Sequence, residues 1–309
     1  MENIRTFMPG SEWLYFKIYT GAKTADRILK DSLYPFVTKL LGDRIIDRWF
    51  YIRYADPDFH VRFRLHLTET RNFNSVFNGF YDTFHNLIEN DLAWNIQCDT
   101  YQRELERYGM NTIDLVEYIF YIDSELSINL LEHLDADNTE EHRWLISLML
   151  IDSYFSVFSF DMDLRKELMN QMAEGYKNEF GIKHHNMKQQ LDTKYRTYKE
   201  TIWSVMDNGN VSDSIYGRYH ELIQKYRQVI FSTVQEILRI EKEGKSQVKS
   251  DALLTGIIHM TMNRWFRSKN RLHELLIYDF MSRYYNSRVA KEKYATKNEN
   301  ETVSTLYSV

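Results

Sequence analysis

Alternate positions of one short segment carry side chains of opposite character, and this pattern constrains the fold more than any other in the chain. In WFYIRYADPDFHVRFRLHL, residues 49–67, four side chains are cationic or protonatable: His60, Arg62, Arg64 and His66. Apolar side chains alternate with them: Val61, Phe63, Leu65 and Leu67. Successive side chains of a strand project to opposite faces of a sheet. The segment therefore predicts a strand with one apolar and one basic face.

The first hundred residues have the pattern of a small sheet with helices. Strands of one sheet are predicted at residues 13–19, 48–54, 60–67 and about 93–101. The turn Asp56-Pro57-Asp58 joins the second and third strands as a hairpin. Helical spacing of apolar residues occurs at 24–42 and 72–91. This order predicts an α+β fold: a small N-terminal, mainly antiparallel sheet, helices on its apolar face, and a cleft at its basic face.

From Asn111 onward the apolar spacing is helical almost throughout. Helices are predicted at residues 111–134, 138–158 with Asn138 as N-cap, about 215–242, and 252–266. We expect one domain at 12–289, with a sheet-containing part at 12–110, a mainly helical part at 111–289, and a flexible tail at 290–309.

Composition excludes several classes of protein. The chain has 39 Lys and Arg against 44 Asp and Glu, with a pI near 6.1, and so lacks the basic excess of a nucleic-acid binder. Cys98 is the only cysteine in the sequence, which leaves no disulfide framework or cysteine-built zinc site and fits the cytoplasm. We expect a soluble chain, because neither a signal peptide nor an apolar run of about 18 residues occurs.

Arg62 and Arg64 are candidates for anion binding. Residues two positions apart on a strand are about 7 Å apart. Two guanidinium groups at that spacing suit a ligand with carboxylate or phosphate groups. An exposed basic face paired with surface carboxylates explains the same pattern, and the alternation alone leaves both interpretations open.

His259 interrupts an apolar helical segment, with Asn263 one turn later on the same face. A neutral histidine beside an amide can act as a general base near neutral pH. A core histidine with satisfied hydrogen bonds is the alternative. Known metal, nucleotide and hydrolase motifs are absent, and the adjacent His184 and His185 diverge on a helix, so we expect no metal site and no cofactor.

Five segments occur in the order found in a known family: WLYFKIY, WFYIRYADPDFHVRFRLHL, YQRELERYGM, FYIDS and HMTMNRWF. Over residues 12 to about 285, the chain resembles the lantibiotic dehydratase C-terminal family, also called the thiopeptide-type bacteriocin biosynthesis domain. The most specific string is Arg-Tyr-x-Asp-Pro-x-x-His-x-Arg-x-Arg, which begins at Arg53. Met110 departs from the family, which usually has a second glycine there.

The resemblance implies a lyase of antibiotic biosynthesis that eliminates glutamate. Its substrate is a ribosomally made precursor peptide whose Ser or Thr residues carry glutamyl esters, and its product contains dehydroalanine or dehydrobutyrine. The partner is a separate glutamyl-tRNA-dependent glutamylation protein, because the chain is too short to contain that region. The chain thus resembles the detached second half of a split dehydratase. No direct contact with nucleic acid or membrane is expected, and a homodimer is left open.

The resemblance also assigns roles to residues. It gives proton transfer to His259 and the grip on the glutamyl group to Arg62 and Arg64. A further arginine is Arg103 or Arg107, which the spacing does not separate. Substrate-binding residues are expected in the same motifs: Arg53, His60, Tyr108, Asn263 and Arg264.

Two other functions remain open from the sequence. Stand-alone family members of similar length resemble thiopeptide pyridine synthases, which join two dehydroalanines in a formal [4+2] cycloaddition and release the leader peptide. Such a cyclase has less need of an arginine clamp for a leaving glutamate. The third interpretation is a non-catalytic subunit that binds the precursor peptide or the glutamylating partner.

Overall fold

The computed structural model describes residues 4–134, 140–181, 185–207 and 216–306. Its strands are β1 Thr6–Phe7, β2 Trp13–Tyr19, β3 Ile46–Ala55, β4 Phe59–Leu67, β5 Asn95–Asp99 and β6 Tyr101–Gln102. Its N-terminal helices are α1 Thr24–Ile28, continued by a π-helical turn into α2 Tyr34–Gly42, then α3 Phe73–Glu89, α4 Leu105–Tyr108 and α5 Ile113–Glu132. The remaining helices are α6 Glu140–Val157, α7 Met162–Glu179, α8 His185–Asp207, α9 Gly217–Lys242, α10 Ser250–Trp265 and α11 Asn270–Leu306. The predicted α+β class is confirmed.

Within the described residues, four strands form an antiparallel sheet in the order β3-β4-β2-β5. These are the four strands predicted from the sequence, although the last one ends at Asp99. Tyr101 instead belongs to β6, which pairs with β1. In the register of the sheet, Arg64 faces Tyr15 on β2 and Phe50 on β3.

Helices cover the apolar face of the sheet, as the alternation predicts. Val61, Phe63 and Leu65 are completely buried. Phe63 stacks on Phe80 of α3 at a ring-centroid distance of 6.0 Å and meets Phe84 in a tilted arrangement at 6.1 Å. Because burial of these aromatic rings holds one face of β4 against α3, the other face of the strand is turned away from α3. Arg64 lies on that other face.

The chain divides into two compact units: Met1–Arg143 with Glu221–Asn270, and Trp144–His220 with Arg271–Val309. The first unit contains the sheet together with α5 and α10. Helix α5 covers the edge strand β3, where Ser124 Oγ accepts a hydrogen bond from the Tyr51 amide. The first unit therefore includes two helices, α5 and α10, that are distant in sequence and pack against the sheet.

The second unit is helical in its described part. Its core includes Trp144 and Phe280, whose rings meet edge to face at 5.6 Å. Buried Asp279 is neutralised by Lys177 and Arg283 at 3.0 and 2.7 Å. The unit thus combines an aromatic core with paired buried charges.

Helix α11 has helical backbone through Leu306, beyond residue 290, where the sequence predicts a tail. The flexibility of that tail stays a prediction. Three residues of the sequence predictions, Asn138, His184 and Ile215, lie outside the described residues. Among the described residues, no helix has the length and apolar character needed to cross a bilayer.

Candidate functional site

A pocket in the first unit opens at the basic face of the sheet, between β3, β4, α4, α5 and α10. Its open space of about 400 Å³ includes solvent at the pocket mouth. Its polar wall contains Arg64, Tyr101, Gln102, Glu104, Tyr108 and Arg264. Its apolar wall contains Phe50, Ile52, Phe120 and Met260.

Arg64 is one of two arginines that line the pocket. Its side chain is buried, with 8% of the residue exposed. Aromatic rings surround the guanidinium, with centroids of Tyr15, Tyr101 and Phe50 at 4.4, 4.9 and 5.1 Å. Burial lowers the pKa of Arg64, an effect only partly offset by the hydroxyls of Tyr101 and Tyr15.

Among the described residues, no carboxylate lies within ion-pair distance of Arg64, and its Nε has no hydrogen-bond partner. The Glu104 carboxylate of the same pocket favours the charge of Arg64 only from a longer distance. A buried guanidinium without an anion is costly, whereas one that meets an anionic ligand gains charge-assisted hydrogen bonds. An anionic ligand would therefore be favourable beside Arg64.

Arg264 places a second guanidinium in the pocket wall. This completely buried side chain donates from Nη1 to Asp123 Oδ2 at 2.7 Å and from Nε to Ser124 Oγ at 3.1 Å. Its Nη2 has no hydrogen-bond partner among the described residues. Asp123 orients the group, and Nη2 is left as a donor for a ligand.

Arg62 lies beside the pocket and does not line it. Its guanidinium stacks 3.5 Å above the Tyr54 ring, and its Nε donates to His60 Nε2 at 2.9 Å. His60 Nδ1 lies 2.7 Å from the Asp58 carbonyl, which assigns the ring proton to Nδ1. Burial lowers the pKa of His60 and so favours this neutral form. Of the two arginines predicted as a clamp, only Arg64 is in the pocket wall.

The structure distinguishes Arg103 from Arg107. Buried Arg103 donates to both carboxylate oxygens of Glu117, at 2.8 and 2.5 Å, and to Asp114 at 2.6 Å. Burial opposes the charge of Arg103, but Glu117 outweighs it and raises its pKa. Arg103 is therefore already neutralised. Arg107 is exposed and pairs only with the exposed carboxylate of Glu104, at 3.1 Å, among the described residues.

Tyr108 brings a hydroxyl to the pocket. The side chain is buried, and its hydroxyl has no hydrogen bond of good geometry among the described residues. Burial and the nearby Glu104 carboxylate raise the pKa of Tyr108 to about 12. The group is thus a protonated hydrogen-bond donor at neutral pH.

Gly109 ends α4 with a positive φ of 73°, which a glycine adopts without strain. Met110, at the position where the family usually has glycine, has no positive φ. Its amide donates to Gln247 Oε1 at 2.7 Å. The turn therefore forms with one glycine, and the substitution at residue 110 leaves its backbone intact.

His259 lies on α10 one residue before the pocket residue Met260. It is half-buried, and its Nε2 is 3.1 Å from Nδ2 of Asn263. Asn263 Oδ1 accepts from Asn270 Nδ2 at 3.0 Å, which orients the amide. His259 and Asn263 are therefore brought together as predicted. Neither lines the pocket, and proton transfer by His259 stays a prediction.

Arg53 lies on the opposite face of the sheet from Arg64, because it faces Val61 in the register of β3 and β4. It is buried, pairs with Asp26 at 2.6 Å, and donates from Nε to the Arg264 carbonyl at 2.8 Å. It is not among the pocket residues, and we do not include it in the substrate-binding proposal.

Three polar pocket residues were not among the predicted site residues: Tyr101, Gln102 and Glu104. All three lie in the segment YQRELERYGM, from which the sequence predicted only Arg103, Arg107 and Tyr108. A carboxylate three residues before Arg107 was the available signal. No group of three or more His, Cys, Asp or Glu residues within the described part of the chain is arranged to hold a metal ion.

The fold and pocket define an α+β protein with a cationic pocket between a small antiparallel sheet and helices. The model of the family "Lantibiotic biosynthesis dehydratase C-term" matches residues 13–285, and the chain belongs to that family.

Some known proteins resemble the chain in sequence, and some solved structures resemble it in fold. The nisin biosynthesis protein NisB of Lactococcus lactis subsp. lactis is 23% identical over 287 residues, 92% of this chain and 26% of NisB. The chain spans about a quarter of the length of the curated relatives it matches.

The tRNA-dependent lantibiotic dehydratase MibB from Microbispora sp. 107891 has a TM-score of 0.70 at 18% identity, covering 90% of this chain and 29% of MibB. TbtD, the pyridine synthase from thiomuracin biosynthesis, has a TM-score of 0.64 at 13% identity, covering 89% of this chain and 99% of TbtD. At these identities the structural likeness shows the fold.

Proposed function

We propose that the protein eliminates glutamate from glutamylated Ser or Thr residues of a ribosomally made precursor peptide, leaving dehydroalanine or dehydrobutyrine. The observation that carries this proposal is the buried guanidinium of Arg64, which faces an open pocket without a carboxylate partner among the described residues. A separate glutamyl-tRNA-dependent protein would supply the substrate.

The charges of the pocket match those of a glutamyl ester. Glutamate transferred from tRNA is esterified through its α-carboxyl group, so the γ-carboxylate and the α-ammonium group remain free. Arg64 suits the γ-carboxylate. Glu104, a residue of the same pocket, suits the ammonium group. The free Nη2 of Arg264 suits the α-carboxylate that forms as the ester leaves.

The reaction itself needs a base and a leaving group. A base removes the α-proton of the esterified residue, and the C–H electrons form the Cα=Cβ double bond. The Cβ–O bond breaks, and its electrons remain on the departing glutamate. We assign the role of base to His259. To accept the proton, its Nε2 must first give up its contact with Asn263 Nδ2. Tyr108 would donate a hydrogen bond to negative charge developing in the pocket.

One observation favours a second function. The likeness to TbtD covers 99% of that pyridine synthase, so the two folds are similar in extent. A [4+2] cyclase acts on dehydroalanines that carry no glutamyl group, however, and it leaves the unpaired charge of Arg64 without a ligand.

The test incubates the purified protein with a synthetic glutamyl-Ser peptide and follows both peptide mass and free glutamate. Elimination predicts dehydroalanine peptide and one glutamate per event. Cyclisation of a bis-dehydroalanine peptide, with the glutamyl peptide unchanged, would support the pyridine synthase. Binding of the glutamyl peptide without any conversion would support the non-catalytic subunit.

A further inference from the structure

Three guanidinium groups converge on one buried carboxylate, that of Asp26 in α1. Arg53 Nη2 is 2.6 Å from Oδ1, while Arg143 Nη2 and Arg267 Nε are 2.7 and 2.6 Å from Oδ2. Asp26, Arg53 and Arg143 are all buried. Burial opposes ionisation of Asp26, but Arg53 and Arg143 outweigh it and lower its pKa to about 2. Asp26 is thus an anion at neutral pH.

Two of these arginines also bind the C-terminal end of α10. Arg53 Nε donates to the Arg264 carbonyl at 2.8 Å, and Arg143 Nη1 donates to the Trp265 carbonyl at 2.5 Å. The last four carbonyls of a helix have no intrahelical donor, and cations are favourable beside them. Trp265 Nε1 donates in return to the Arg143 carbonyl at 2.8 Å. Arg53 and Arg143 therefore cap α10.

The capped turn carries a wall of the pocket. Arg264 contributes its carbonyl to this cap and its guanidinium to the pocket, so the two ends of one residue are held by different partners. Asp26 itself does not line the pocket. A displacement of the cap would move the Arg264 guanidinium without removing any group from the site.

We propose that Asp26 is a positioning residue of the pocket, holding Arg53 and Arg143 against the last turn of α10 so that Arg264 meets the substrate anion. This inference rests on the proposed function of the pocket. Without the carboxylate, two buried guanidinium groups repel each other and lack a counter-ion. They then withdraw from the carbonyls of Arg264 and Trp265, and that turn loosens.

The first test compares Asp26→Asn, which keeps the shape of the side chain and removes its charge, with Arg267→Gln. Arg267 pairs with Asp26 and, among the described residues, donates no hydrogen bond to α10, so it is a matched control. We expect kcat on a glutamyl-Ser peptide to fall about 10- to 100-fold in Asp26→Asn, the scale of a small misplacement in a site. KM should change little, because Arg64 still binds the γ-carboxylate. Arg267→Gln should stay within about 2-fold of wild type in both constants.

The second test does not depend on activity. Hydrogen–deuterium exchange at residues 259–266 should be faster in Asp26→Asn than in wild type and Arg267→Gln, with exchange in α3 unchanged. Arg53→Lys lacks the planar guanidinium group that contacts both Asp26 and the Arg264 carbonyl. It should show the same faster local exchange, and it replaces Asp26→Asn in this test if that variant does not fold.

Unchanged exchange in the last turn of α10, or an equal loss of kcat in Arg267→Gln, would overturn the positioning role. A wild-type protein that leaves glutamyl peptide intact would instead refute the proposed function. In that case the exchange comparison still decides whether Asp26 positions α10.

Discussion

At the scale of single residues, the pocket is defined by charges that the fold leaves unbalanced. Arg103, Arg264 and Arg53 each face a carboxylate at 2.5 to 2.7 Å. Arg64 is surrounded by aromatic rings and forms no ion pair among the described residues. A guanidinium stacked between rings keeps its N–H edge free, which directs an anion to that edge.

Lysine at position 64 keeps the positive charge but lacks the planar guanidinium group and its contacts with the aromatic rings of Tyr15, Tyr101 and Phe50. We expect Arg64→Lys to lower kcat/KM for glutamate elimination about 10- to 100-fold, the worth of a charge-assisted hydrogen bond of about 1.5–3 kcal/mol. Arg62→Lys should be impaired as well, but less, because Arg62 only flanks the pocket. Quantitative mass spectrometry measures both, with Arg71→Lys on the exposed surface as control. Wild-type turnover by both lysine variants would contradict the clamp.

Glu104 has a separable task, recognition of the α-ammonium group. We expect Glu104→Gln to raise KM for a glutamyl-Ser peptide about 10-fold, since one charge-assisted contact is lost. The same variant should process a glutaryl-Ser peptide, which lacks the amino group, as well as wild type does. Equal effects on both peptides would show that Glu104 does not bind this amine.

His259→Ala tests chemistry apart from binding. We expect dehydrated product to fall by about 10² to 10⁴, the usual scale for a general base, while glutamyl peptide remains bound and accumulates. His85→Ala is the matched control, because His85 is another half-buried helical histidine, on the helix that covers the opposite face of the sheet. Undiminished conversion by a folded His259→Ala variant would exclude it as the base.

At the scale of elements, the pocket depends on the close approach of α4 and α10. This approach occurs at Gly256, where an added Cβ would lie 3.0 Å from Tyr108 Cε1 and 3.6 Å from Arg107 Cδ. One turn further along the same face of α10 is Met260, and another turn leads to Arg264. Gly256 thus lets α4 carry Tyr108 to the same pocket as Arg264.

Gly256→Ala should therefore separate activity from stability. Alanine gains about 1 kcal/mol of helix propensity, which offsets part of the strain against buried Tyr108. We expect a change in unfolding free energy of no more than about 1 kcal/mol, with elimination reduced because Tyr108 is displaced. In Gly175→Ala on α7, the added Cβ meets no described atom within 4 Å beyond the adjacent residues and backbone of its own helix. This variant should therefore be stabilised and fully active. Urea unfolding and turnover of both variants check this, and full activity of Gly256→Ala would contradict it.

At the scale of the whole molecule, stability in acid should depend on Asp26. Its pKa of about 2 in the folded protein is below the ordinary value of 3.8, so its stabilising effect is complete above pH 3.8 and is lost as pH falls toward 2. The shift corresponds to about 2 kcal/mol. Urea unfolding from pH 6 to pH 2 should show wild type and Asp26→Asn converging in acid, and a constant difference would exclude this linkage.

The sequence alone determined the features that local geometry controls. Alternation along residues 60–67 fixed the strand, its two faces and the shared direction of Arg62 and Arg64, because side-chain direction in a strand follows from the backbone. Helical spacing likewise predicted α3, α5 and α10 close to their observed bounds. The same local rule put Asn263 beside His259, one turn along α10.

Tertiary structure decided which of these groups is available to a ligand. Arg103 is neutralised by Glu117, 14 residues later, whereas Arg64 has no such partner among the described residues. Arg53 alternates to the far face of the sheet and caps α10 more than 200 residues away. These outcomes depend on the packing of α5 and α10 against β3. Whether a buried charge is neutralised depends on contacts between distant segments, and periodicity does not specify such contacts.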